Sequence, residues 1–221
     1  MVNNFAVIYM KKGEFKKAFI LLQCAIHMSR HYPDLQTIPQ LISVLYSNLS
    51  FYYLQGKSKA SDQSASKYID GAIIANKRHE ISPNSQKNNQ RSQPEDRKAQ
   101  IQNEIDLAIS YNNKAVIEMK RNNMGQAREF AIKAVTLIEP RVYGMISSGF
   151  VNRINPESKP NGPAKNSETQ EFFQHLLQVL LISYFNLAMT RDHELQSRNI
   201  YLKGMQLCYQ YLPGGQKNYL F

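Results

Sequence analysis

Cysteine is scarce: Cys24 and Cys208 are the only two in 221 residues. That is too few for a disulfide scaffold, and both fall on helical faces, where a free thiol behaves as a small hydrophobe. They read as reduced core residues of an intracellular, cytoplasmic protein. No stretch approaches the roughly 18–20 consecutive apolar residues of a membrane span. No basic N-terminal region leads into an apolar run and a small-residue cleavage site, so no secretory signal is legible. The Gly-rich phosphate loop, the Gly-x-Ser-x-Gly elbow and the His-Glu-x-x-His helix are all missing. Carboxylates are not paired for acid/base work: Glu104 and Asp106 are two apart on a helix and point to different faces. The sequence therefore predicts no enzyme and no cofactor. Acidic residues are the minority, 17 against 27 Lys and Arg, for a net charge of +10. The excess is dispersed, with no run of five cations, so it reads as a solvated surface before a nucleic-acid device.

What the chain does have is a stretch written twice. Asn3 to Ala25, NNFAVIYMKKGEFKKAFILLQCA, returns at Asn112 to Ala134 as NNKAVIEMKRNNMGQAREFAIKA. The offset is 109 throughout, so Ala6, Ala18 and Ala25 are matched by Ala115, Ala127 and Ala134. Phe5, Ile8, Tyr9 and the small Ala6 recur at the three- and four-residue spacing of one helical face. Gly13 interrupts, and a second apolar helical run follows through Leu22 to Ile26. Two short helices joined by a tight turn make an antiparallel hairpin. The alanines are small because a methyl group lets two helix backbones approach closely. One such hairpin cannot bury its apolar face alone, so copies must stack.

The spacing Asn4, Ala6, Tyr9, Gly13, Phe15, Ala18, Ala25 resembles the tetratricopeptide repeat (TPR) along its whole length. The second copy keeps Asn113, Ala115, Ala127 and Ala134 but departs at Glu118 for Tyr, Asn122 for Gly and Met124 for the aromatic. Asn tolerates a left-handed backbone better than most residues, so that turn can survive. Two weaker units follow the same template. Tyr46, Asn48, Leu49, Ser50 and Tyr53 open one, with Ala65, Ile69 and Ala72 on its partner helix. Tyr184, Asn186, Leu187 and Ala188 open the other, with Ile200, Gly204 and Leu207 opposite. The resemblance implies an all-α fold: antiparallel helical hairpins stacked as a right-handed solenoid of about four repeats, in one domain. The hairpins fall at about 2–31, 37–78, 93–138 and 168–211. Thr37, Ser92 and Ser167 open capping boxes at three of them. Residues 79–92 and 140–166 are expected as long insertions, the first disordered. The helix from Phe172 to Phe185 is apolar nearly all round and is expected to be buried on most sides. Only three residues precede Asn4, so either the first turn frays or the chain is a piece of something longer.

The Asn column (Asn4, Asn48, Asn113, Asn186) supplies the candidate site. In peptide-binding members of the family this Asn faces the concave groove and bonds a peptide backbone. A carboxamide can do so because it carries both donor and acceptor. The plainer alternative is contact between neighbouring helices. The chaperone-tail clamp of some members lacks its basic half here: nothing stands four residues before Asn4, and Ile109 occupies the third-helix Lys position. Cys24, His27 and His31 share a helix face, but a closed zinc site needs a fourth ligand from elsewhere. No metal is expected. The expected function is a non-enzymatic scaffold holding a peptide or helix of a partner protein. The alternatives are a structural subunit of a larger intracellular assembly, ciliary or cytoskeletal, and a basic RNA-binding protein.

Overall fold

The structure, a computed structural model, describes residues 2–31, 39–55, 59–80, 94–149, 167–191 and 194–212. Regular structure among them is helical: α1 (Val2–Lys11), α2 (Phe15–His31), α3 (Pro39–Leu54), α4 (Lys59–Glu80), α5 (Pro94–Lys120), α6 (Met124–Ser147), α7 (Ser167–Met189) and α8 (Glu194–Tyr211). No strand occurs among the described residues. Residues 56–58, the segments before α3 and α5, and most of both insertions lie outside the described residues.

Consecutive helices pair as α1 with α2, α3 with α4, α5 with α6 and α7 with α8. Each pair also packs on the next, through α2 on α3, α4 on α5 and α6 on α7. The first helices touch in sequence as well: α1 on α3, α3 on α5 and α5 on α7.

The two copies of the repeat turn identically. Gly13 sits at φ 74° and Asn122, 109 residues on, at φ 63°. Gly13 N–H donates to Met10 O and Glu14 N–H to Tyr9 O, at 3.0 and 2.9 Å. Asn122 N–H to Met119 O and Asn123 N–H to Glu118 O repeat these at 2.9 and 2.8 Å. This paired return to the last helical carbonyls needs one left-handed residue, and Asn supplies it where Gly is absent. Beyond the turns, Ala6, Ala18, Ala115, Ala127 and Ala134 have no exposed surface, and Ala25 is half-buried. Between α3 and α4 the close approach is made by Gly71, where a Cβ would stand 2.8 Å from the Tyr46 ring.

Two expectations are corrected. The sequence ends the third hairpin at 138 and opens an insertion at Pro140, but α6 runs through Pro140 to Ser147. Pro140 is exposed, while Val142 is fully buried and Met145 and Ile146 pack on the same core cluster. That burial offsets the backbone hydrogen bond the proline removes. Cys208 is buried but Cys24 is exposed, so only one of the two is a core residue. α7 is buried on most sides, as expected, but not on all. Phe173, Leu176, Leu177 and Leu180 are buried, whereas Ile182, Phe185 and Met189 are exposed. By length and composition α7 could cross a membrane, yet over half of that window is buried among the other helices.

Candidate functional site

The Asn column divides. Asn186 is only 3% exposed and its Nδ2 donates to Asn112 Oδ1 at 3.2 Å. Asn112 Nδ2 in turn donates to Ser183 Oγ at 2.8 Å, and Ser183 Oγ to Val179 O. Asn186 is thus withdrawn from any groove: it ties α7 to α5. Asn48, half-buried, makes the equivalent bond at the other end, its Nδ2 donating to Asn3 Oδ1 at 2.7 Å. Asn3 and Asn112 are repeat mates, so the two bonds set neighbouring first helices to the same level. Asn4 is exposed and Asn113 half-buried.

Sequence reasoning missed a second column. Three residues past each Asn stand Val7, Phe51, Val116 and Met189. Phe51, Val116 and Met189 are exposed and Val7 is half-buried. Four residues before the Asn, Val44 and Ile109 are half-buried and Ile182 is exposed. Positions 4 before and 3 after share one helix side with the Asn. The signal was present in the sequence: apolar residues at fixed distance from each Asn, on a face that a solvated helix would fill with charge.

The departure at Glu118 is explained by a buried polar cluster between α4 and α5. Lys114, nearly buried, donates from Nζ to Ser66 Oγ at 2.7 Å and to Asp70 Oδ2 at 3.0 Å. It also lies 3.3 Å from Glu118 Oε1. Asn123 Nδ2 donates to Glu118 Oε2 at 2.8 Å, and Arg121 Nη1 to Oε1 at 3.2 Å. Burial pushes the Glu118 carboxyl up, but the Asn123 bond and the two cations outweigh it and hold the group below the usual carboxylate range. A second cluster joins α6, α7 and α8. Tyr184 Oη donates to Glu139 Oε1 at 2.6 Å, and Lys203 closes on the same oxygen. Burial, with the Glu139 bond behind it, pushes the Tyr184 phenol up. Lys203 lies about equally near the Tyr143 and Tyr184 rings, at 5.4 and 5.3 Å. Every charge in both clusters is answered by a protein partner. The clusters join helices and leave no cation or carboxylate aimed at an open site.

Glu104 and Asp106 are engaged separately. Arg141 takes both Glu104 oxygens, at 2.7 and 2.6 Å. Burial pushes Asp106 up, and Gln102 donates to it at 3.0 Å. The His27 and His31 rings lie 4.2 Å apart, tilted by 60°, and Cys24 on the same helix is exposed. Among the described residues no three His, Cys, Asp or Glu side chains are grouped to hold a metal. Comparison with protein-family models, with curated proteins and with solved structures finds no match.

Proposed function

We propose that the chain is a TPR-like stack of four hairpins serving as a non-enzymatic protein-binding scaffold. In this reading the row α1, α3, α5, α7 forms the concave side of a right-handed solenoid and takes an amphipathic helix or extended apolar segment of a partner. The neighbour-to-neighbour packing of the hairpins supports it, as does the repeated turn. The observation that carries it is the apolar column Val7, Phe51, Val116, Met189 beside Asn4 and Asn113. Apolar anchors bury against this floor and supply affinity. Asn4 and Asn113 answer the ligand's backbone groups. The narrower role of the column differs from the sequence expectation, since Asn48 and Asn186 stay bound to neighbouring helices.

The test is selection of helical and extended peptides from a displayed library on the whole chain. Peptides chosen on the native chain are then rebound to Phe51→Asp and Val116→Asp, and to Ile20→Asp and Ile74→Asp as controls outside the column. The expected result is loss of binding by the first pair, by about tenfold or more, since a desolvated carboxylate meets the ligand. Equal binding by all four variants would reject the groove. A second reading, a structural subunit of a larger intracellular assembly, is favoured by exposed Ile20, Ile74 and Leu195 outside the column.

A further inference from the structure

The repeat makes one uncovered face legible. Phe5 and Ile8 on α1 are 50% and 46% exposed. Their mates 109 residues on, Lys114 and Ile117, are 6% and 0% exposed. The difference is the cover. Lys114 lies under α4, through Ser66 and Asp70, and Ile117 clusters with Ala65, Ile69 and Ala72 of that helix. So the side of a first helix that carries Phe5 and Ile8 is the side that elsewhere in this chain receives the second helix of another hairpin.

The chemistry of the face has changed as well. Lys114 and Glu118 are replaced by Phe5 and Tyr9. A helix docking on α1 therefore needs no Ser66 or Asp70; it needs apolar side chains.

α8 presents them. Ser197, Gly204 and Tyr201 of α8 meet α7, at Ala188, Leu181 with Tyr184, and Phe185 respectively. Lys203 lies at the α6 side of that contact, over the Tyr184 ring and paired with Glu139 on α6. Met205 and Tyr209 follow Lys203 by two and six residues, which at about 100° per residue turns them to the side away from α6. Both are exposed, as is Leu202 beside them.

We propose that the α8 stripe of one copy docks on the α1 face of a second copy, so that the chain associates head to tail. This rests on the stacked-hairpin reading and extends it: the contact between copies reuses the contact between hairpins, with apolar groups in place of the Lys114–Asp70 pair. The two surfaces differ, so the contact is heterologous and continues into a ring or an open filament. Two helix faces are small beside a stable interface, so the association is weak and concentration-dependent.

Sedimentation of the whole chain over about a hundredfold concentration range tests this. Native protein is expected to gain mass with concentration. Phe5→Glu, and separately Met205→Glu, are expected to remain monomeric; both positions are exposed, and circular dichroism checks that each variant is folded. Should either fail to fold, Phe5→Ser or Met205→Ser takes its place. Mixed in equal amounts, the two variants are expected to form a dimer and nothing larger, because each retains the one surface the other has lost. A native chain that stays monomeric throughout overturns the proposal. So does a mixture that fails to pair, or a single variant that associates as native protein does. Val116→Asp touches neither face, so the groove and the end contact fail independently.

Discussion

At Asn122 the chain holds a left-handed backbone that its repeat mate assigns to Gly13. A Cβ there costs energy that Asn reduces and Gly avoids. Asn122→Gly is expected to stabilise by roughly 0.5 kcal/mol and Gly13→Ala to destabilise by about 1 kcal/mol, read from urea unfolding. The second residue-scale case is the Lys114–Glu118 pair. Lys114→Ala strips the buried carboxylate of one of its cations and is expected to cost about 3 kcal/mol. The double variant Lys114→Met, Glu118→Leu is expected to recover most of that, since it removes both charges and keeps the volume. Glu118 is held low, so its contribution is complete above the unfolded carboxylate range and is lost as pH falls through the folded value. Melting temperatures of native protein and Glu118→Gln should therefore converge as pH falls below about 4. Sequence spacing placed Glu118 in a Tyr position but could not foresee its partners, because Lys114, Ser66 and Asp70 come together only when α4 lies on α5.

At the scale of elements, α2 ends at His31 and α8 at Tyr211, where the sequence placed the ends of the first and fourth hairpins. The start of α2 is local: Gly13, at φ 74°, turns the chain just before it. α6 is the exception. Pro140 is a breaker by its own chemistry, yet Val142, Met145 and Ile146 are held by the core, and the helix continues to Ser147. Restoring the missing donor with Pro140→Ala is expected to stabilise by about 1–3 kcal/mol, measured by thermal unfolding. A loss of helix signal, or no gain, would mean that the Pro140 turn is not strained helix.

For the molecule as a whole, burial is unequal along the chain. One large cluster joins α5, α6, α7 and α8 and includes Ile73 of α4, whereas Ala6, Leu22, Ile26, Leu45 and Leu49 form a smaller one under α1 to α3. Amide exchange in α1 and α2 is expected to precede exchange in α5 and α7, since local opening follows local burial. Leu177→Ala, in the large cluster, should cost about 3 kcal/mol and slow no part of that exchange. Uniform protection from α1 to α8 would contradict the division.

Helix positions other than the end of α6, the all-helical class and the two matched turns were set by the sequence itself, because 3.6-residue periodicity, small alanines and a left-handed Gly or Asn act on their immediate neighbours. Which face of each helix meets solvent was decided by tertiary structure. Phe5 and Lys114 occupy one repeat position, and Asn4 and Asn186 another, yet one of each pair is open and the other covered. The residue does not determine that outcome; the helix arriving from the next hairpin does.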